Sequence, residues 1–287
     1  MTEGRTNPKR VALVVGSGAV KCAAALGLWK VLQREGIDLD MVVGCSGGSL
    51  YTSVMALGFD RDRCEEMTRG MWTREVTTER DWRSLASVFL PKLMGFGTSF
   101  GLVKDRRLNQ VLRKAYGDLS FADTAIPLAI AATDLMTGEK VVIREGSVFD
   151  AIRASIAIPY VWPAWKIGGR WLVDGCLSNP LPVDVAIKEG ASIILAMGFD
   201  AAYPSRLKSA SRYAFQLNSV TTNNLLRASY AFHNLAHHAE IIPVLPEFDQ
   251  KVGLFDTGKF PYVIERGEQA AEAIVPYLRQ LLSEEAA

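Results

Sequence analysis

Short, continuously apolar runs alternate along the chain with longer stretches in which apolar residues recur every three or four positions. The runs Arg10–Val15, Met41–Gly44, Ile126–Thr133, Lys140–Ile143, Arg170–Val173 and Ser192–Gly198 are rich in β-branched residues. Runs without polar alternation are expected of strands buried on both faces. Ala19–Glu35, closed by Gly36, and Ser46–Leu57 read as helices. Helical periodicity dominates Ser205–His238, and Lys259–Glu285 is amphipathic. Strands alternating with helices predict an α/β fold whose mostly parallel sheet carries helices on both faces. No linker rich in Pro, Gly or Ser divides the chain and no segment repeats, so a single domain over 1–287 is expected, with its core at about 11–282.

Residues 60–114 interrupt this alternation. Basic side chains outnumber acidic ones there, and Trp82–Leu102 carries Leu85, Val88, Phe89, Leu90, Leu93, Met94, Phe96 and Phe100 between glycines. The stretch reads as an insertion or lid with its own apolar surface, suited by its flanking arginines to meet anionic lipid. A helix packed on the core with its charges in water is the competing reading. On the first reading Phe89, Leu93 and Phe96, together with Lys21, are the expected substrate contacts.

Composition narrows the function classes. Among 287 residues, 32 Lys/Arg against 31 Asp/Glu leave a net charge of +1, with 49% hydrophobic and 22% charged positions. Those proportions exclude a disordered chain, and the absence of a basic excess argues against a dedicated nucleic-acid binder. Cys22, Cys45, Cys64 and Cys176 show no CxxC spacing and read as reduced, buried thiols of an intracellular protein. The apolar run Val11–Val15 stops at Gly16, too short for a signal-peptide core. Met41–Phe59 is uncharged over nineteen residues, but its glycines, serines and threonine fit a strand–turn–helix better than a lipid-exposed helix. A cytoplasmic location is expected, with any membrane contact peripheral.

The chemistry concentrates in turns. Gly44-Cys45-Ser46-Gly47-Gly48 matches G-x-S-x-G between a predicted strand and a predicted helix. A serine there is held in a strained conformation that projects its hydroxyl, and the helix start favours developing negative charge. A plain turn is the alternative. Gly16-Ser17-Gly18-Ala19-Val20-Lys21 follows the first strand and suits an oxyanion hole formed by amides of Gly16, Gly18 and Ala19, joined by Gly47. A dinucleotide-binding turn lacks its third glycine, since Lys21 stands there; a ligand-free turn is the remaining option.

A nucleophilic serine needs a base. His233, His237 and His238 all fall in one late predicted helix, whereas a Ser–Asp–His order would want the histidine in a loop. Asp174 is the stronger candidate: Arg170-Trp-Leu-Val173 leads straight to it, and Gly175 follows. A carboxylate at the end of an apolar strand gains basicity from its dry surroundings; an Asp-Gly hairpin turn is the structural alternative.

Taken together, the Gly16–Lys21 loop, the Gly44–Gly48 turn and Asp174-Gly175 resemble the patatin-like phospholipase family. Ala131-Ala-Thr-Asp134, Ala154-Ser155-Ile-Ala-Ile-Pro159 and Gly267-Glu-Gln-Ala-Ala271 support the likeness, which extends over about Val11 to Leu282. Against the family's usual loop, Val20 is an insertion, Lys21 replaces arginine and Cys22 replaces glycine. The resemblance implies a three-layer α/β/α sandwich, Ser46 as nucleophile, Asp174 as base, hydrolysis of lipid acyl esters through an acyl-enzyme, and no metal or organic cofactor. A carboxylesterase or thioesterase acting on soluble esters, or a non-catalytic lipid-binding protein of the same fold, are the competing expectations.

Overall fold

The apolar runs assemble into one eight-stranded sheet in the computed structural model, which describes residues 9–283 except 61–62, 68–75, 77–78, 95–96, 201–206, 208–209, 237–238 and 254–255. The strands are β1 (Val11–Val15), β2 (Met41–Cys45), β3 (Leu128–Asp134), β4 (Lys140–Ile143), β5 (Trp165–Ile167), β6 (Arg170–Asp174), β7 (Ile193–Met197) and β8 (Glu240–Pro243). Their order is β5-β6-β3-β2-β1-β7-β8, with β4 also on β3. The five strands from β3 to β8 run parallel, Leu13 facing Val42 on one side and Leu195 on the other. β4, β5 and β6 form an antiparallel flank.

Two strands escape the sequence pattern. Both β5 and β8 are short and lie at the sheet's edges, where half-exposed residues and a proline are tolerated, so neither forms a continuous apolar run.

Helices α1 (Ala24–Arg34), α2 (Gly47–Ala56), α3 (Trp82–Phe89), α4 (Arg106–Tyr116), α5 (Val148–Ser155), α6 (Val183–Lys188), α7 (Ala210–Ala236) and α8 (Phe260–Ser283) complete the framework. The helix expected from Ala19 starts instead as a 3-10 turn over Ala19–Ala23, closed by the Lys21 amide on the Gly18 carbonyl. Side chains alternate across the strands, and two apolar clusters result. Leu13, Val15 and Leu195 pack with α1, α2, α5 and α8, whereas Ala12, Val14 and Ile194 pack with α6 and with Leu226 of α7. The architecture is therefore a three-layer α/β/α sandwich around a mostly parallel sheet. Among the described residues, no helix is long and apolar enough to cross a membrane.

The 60–114 stretch is tied in at its far end by a buried cation. Arg153 of α5 is wholly buried; it donates to Asp105 Oδ2 and Asn109 Oδ1, each at 2.8 Å, and to the Pro163 carbonyl at 3.2 Å. An ion pair in such surroundings is costly to break from one side, so α4 is held against the helix that supports the site.

α1 and α8 meet backbone to backbone. A Cβ on Gly267 would lie 1.9 Å from the Ala24 carbonyl oxygen, and one on Gly27 would lie 2.1 Å from that of Ile264. Gly→Ala in a free helix gains about 1 kcal/mol. Here the collision reverses the sign, so Gly267→Ala is expected to destabilise by about 1–3 kcal/mol, read as a lowered thermal midpoint. An unchanged or raised midpoint would contradict the close packing.

Candidate active site

Parallel strands present their carboxyl ends on one edge, and ligands gather outside those ends where the strand order reverses direction. Here β1 lies between β2 and β7, and the loops after β1 and β2 meet at that edge. Ser46 follows β2 with φ 54° and ψ −127°, a left-handed conformation for a side-chain-bearing residue and a cost of about 1–3 kcal/mol. The surroundings hold it there. Its amide donates to Ser155 Oγ at 2.8 Å, Ser155 Oγ donates to the Ala131 carbonyl at 2.7 Å, and Ser49 donates to the Ser46 carbonyl through both amide and hydroxyl. Such a turn fits only where neighbours lack Cβ atoms. One on Gly44 would lie 2.5 Å from Ser49 Cα, and one on Gly48 2.2 Å from the Val15 carbonyl oxygen.

The register delivers the carboxylate. Cys45 pairs with Ala131 of β3, and the next β3 residue, Ala132, pairs with Asp174 of β6. Residues 128 positions apart thus end on the two strands that flank β3, and Ser46 Oγ donates to Asp174 Oδ2 at 2.6 Å. Asp174 Oδ1 accepts from the Cys176 amide at 2.9 Å, while Thr133 Oγ1 donates to the Asp174 carbonyl at 2.9 Å. Ser46 is 7% exposed and Asp174 fully buried. Burial pushes the Asp174 carboxyl from its ordinary 3.8 up to about 6, while hydrogen bonds from Ser46 and Cys176 pull it back.

Beside this pair lies the first glycine loop. A Cβ on Gly47 would sit 2.7 Å from the Ala19 nitrogen, so the two turns touch. Ala19 has φ 50°. The Gly16 amide donates to the Met197 carbonyl at 2.9 Å and that of Ser17 to Pro180 at 2.8 Å. Gly16 therefore frames the loop, and its amide is unavailable as a donor, contrary to expectation. The amides of Gly18, Ala19 and Gly47 carry no hydrogen bond to another described residue, and they lie where α2 directs its positive end.

Other expected contacts disperse. Lys21 Nζ donates to the Asp200 carbonyl at 2.9 Å and lies 5.7 Å from the Phe248 ring centre, on a cavity of about 300 Å³ that it shares with Phe199 and Arg227. Burial lowers its pKa, and nearby Cys22 and Asp200 oppose that shift. Leu93 is 79% exposed and points to solvent. Phe96, His237 and His238 lie outside the described residues, as do the side chains of Phe89 and His233. All four cysteines are free and buried. Burial raises the thiols of Cys22, Cys45 and Cys176 well above their ordinary value, so they surround the carboxylate as neutral groups. Ser155 is the residue that motif reading left without a role: 109 positions from Ser46, it is reached only through β3 and α5.

The chain has recognisable relatives among known proteins. The family profile described as Patatin-like phospholipase matches residues 13–187, which include both glycine turns, Ser46, Ser155 and Asp174. An "Uncharacterized NTE family protein" of Mycobacterium tuberculosis is 27% identical over 233 residues, covering 81% of this chain and 60% of that protein. "Neuropathy target esterase sws" of Drosophila melanogaster is 29% identical over 194 residues, covering 65% of this chain and 13% of that protein. The crystal structure of VipD from Legionella pneumophila aligns with 97% of this chain and 67% of its own at 14% identity and a TM-score of 0.49. The chain thus spans about three fifths of the mycobacterial relative's length and far less of the insect esterase. On the profile match, which spans more than half its length, this chain belongs to the patatin-like phospholipase family.

Proposed function

We propose that this protein is a lipid acyl hydrolase of the phospholipase A type, with Ser46 as nucleophile and Asp174 as general base. The supporting observation is the 2.6 Å hydrogen bond from Ser46 Oγ to a buried Asp174 carboxylate beside three uncommitted amides. Family membership supports the lipid substrate.

The chemistry follows from those groups. As Ser46 Oγ attacks the ester carbonyl carbon, its proton passes to Asp174 Oδ2 and the carbonyl oxygen becomes an oxyanion. Amides of Gly18, Ala19 and Gly47 receive that charge; one preorganised donor of this kind is typically worth about 10²–10³ in rate. Collapse of the tetrahedral adduct breaks the ester C–O bond, and the departing alkoxide takes the proton from Asp174. Water then attacks the acyl-Ser46, giving its proton to Asp174. The second collapse releases the fatty acid and returns the proton to Ser46. A carboxyl that titrates near 6 is ionised at neutral pH yet more basic than an exposed aspartate, which suits it to this exchange.

Ser46→Ala is expected to reduce hydrolysis of both short esters and long-chain phospholipid by about 10³-fold or more; retained activity would overturn the assignment. Because Asp174 must be ionised to act, kcat/KM should fall with unit slope as pH drops through about 6. A profile flat down to pH 4 would exclude it as the base. Its elevated pKa also acts on stability. The folded state binds this proton more tightly than the unfolded chain, so the contribution is present below 3.8 and is lost as pH rises through about 6. Asp174→Asn is therefore expected to be more stable than wild type at pH 8 by about 3 kcal/mol, with no gain near pH 3, as read from denaturant unfolding at the two pH values.

A further inference from the structure

We infer that the exposed apolar side chains of Trp82, Val88, Leu90 and Leu93, with Arg83 and Lys92, are a docking surface for an anionic lipid bilayer that brings the Ser46 site to its substrate. This deepens the hydrolase reading above and rests on it for its purpose, although the surface itself is defined by exposure, connectivity and charge.

Trp82 is 68% exposed, Leu93 79%, and Val88 and Leu90 more than half. Four large apolar side chains are thus exposed within twelve residues of sequence, a local density that sets them apart from the single exposed apolar residues common on protein surfaces. The segment is stitched to the site. The Asp81 amide donates to the Leu102 carbonyl, Arg80 bridges to Val103, and the amides of Leu102 and Val103 donate to the carbonyls of Tyr160 and Val161. That loop begins directly after Ser155, which anchors Ser46, and its Ala157 carbonyl accepts the Asp174 amide at 3.1 Å. Two strand-like steps, each about 4.8 Å wide, thus separate the start of the segment from the loop that backs the site. In the same loop Tyr160 is exposed and has φ 66°, a strained conformation that holds an aromatic ring towards solvent.

Charge selects the partner. Every described acid of this stretch is engaged within the protein: Glu79 with Lys104 and Arg107, Asp81 as the cap of α3, and Asp105 with Arg153. Arg83 and Lys92 are exposed and have no acidic partner among the described residues. Exposed apolar side chains that begin with a tryptophan and are interspersed along the chain with Arg83 and Lys92 match the anionic headgroup and outer acyl layers of a bilayer.

The experiment is co-sedimentation of the full chain carrying Ser46→Ala, so that lipid is not consumed, with vesicles of phosphatidylcholine alone or of phosphatidylcholine and phosphatidylserine in equal parts. Binding is expected to favour the anionic vesicles and to weaken as salt rises. Arg83→Gln with Lys92→Gln should lower that partitioning about 30-fold, at about 1 kcal/mol per cation, and Leu93→Glu should lower it at least about 10-fold. All three positions are exposed, so thermal midpoints should match the parent. In the chain that retains Ser46, Arg83→Gln with Lys92→Gln should leave hydrolysis of a soluble short ester unchanged. Equal binding of parent and variants, or a preference for neutral vesicles, would overturn the inference, as would self-association abolished by Leu93→Glu without vesicle binding. Vesicle binding by a chain that hydrolyses no ester would leave this inference standing and remove the hydrolase reading; the converse result would do the opposite.

Discussion

One hydrogen bond sets the requirements for the rest of the molecule: a serine hydroxyl from the end of β2 donating to a buried carboxylate at the end of β6. The two groups have no local reason to meet. Their approach depends on β3, which pairs in parallel with β2 through Ala131 and antiparallel with β6 through Ala132. A sheet switching from parallel to antiparallel at this strand is what allows a residue that ends an antiparallel strand to face a residue that ends a parallel one.

Both partners sit in states that an isolated peptide would avoid. Ser46 takes a backbone conformation that side-chain-bearing residues seldom adopt, and Asp174 holds a charge away from water. The cost of each is offset by the framework. Ser155 and Ser49 occupy the polar groups of the Ser46 backbone, and the Cys176 amide and Ser46 hydroxyl solvate the carboxylate. The thiols of Cys22, Cys45 and Cys176 fill the surrounding space as small neutral groups that do not compete for the proton. Strain and desolvation held in this way are characteristic of reactive sites, where groups are kept away from their resting preferences.

Much of this was legible in the sequence because the constraints are local. The continuous apolar runs of β1, β2 and β7 are unambiguous, since a strand covered on both faces has no polar side to show. The Gly44–Gly48 pattern carries its own reason: the collisions a Cβ would cause are with the same turn and with the strand beside it. Asp174 stood out because an apolar strand led straight into an acid. What the sequence did not reveal is long-range or marginal. Ser155 stands in a segment that supports the family likeness, but its hydrogen bond to the Ser46 amide spans 109 residues and no local spacing announces it. The Gly16 amide is taken by Met197 of a strand that lies far along the chain, so no spacing rule removes it from the donor set. β5 and β8, at the sheet's edges, have too few buried positions to impose a pattern. In the 80–103 segment the sequence offered a packed helix or an exposed apolar surface; Trp82 and Leu93 favour the second.

The central claim is that Ser46 is a nucleophile activated by Asp174, and covalent labelling tests it most directly. Incubation with a fluorophosphonate at pH 8, followed by peptide mass mapping, is predicted to place one adduct on Ser46 and none on Asp174→Asn under the same conditions. No adduct, an adduct on another serine, or equal labelling of Asp174→Asn would contradict the account.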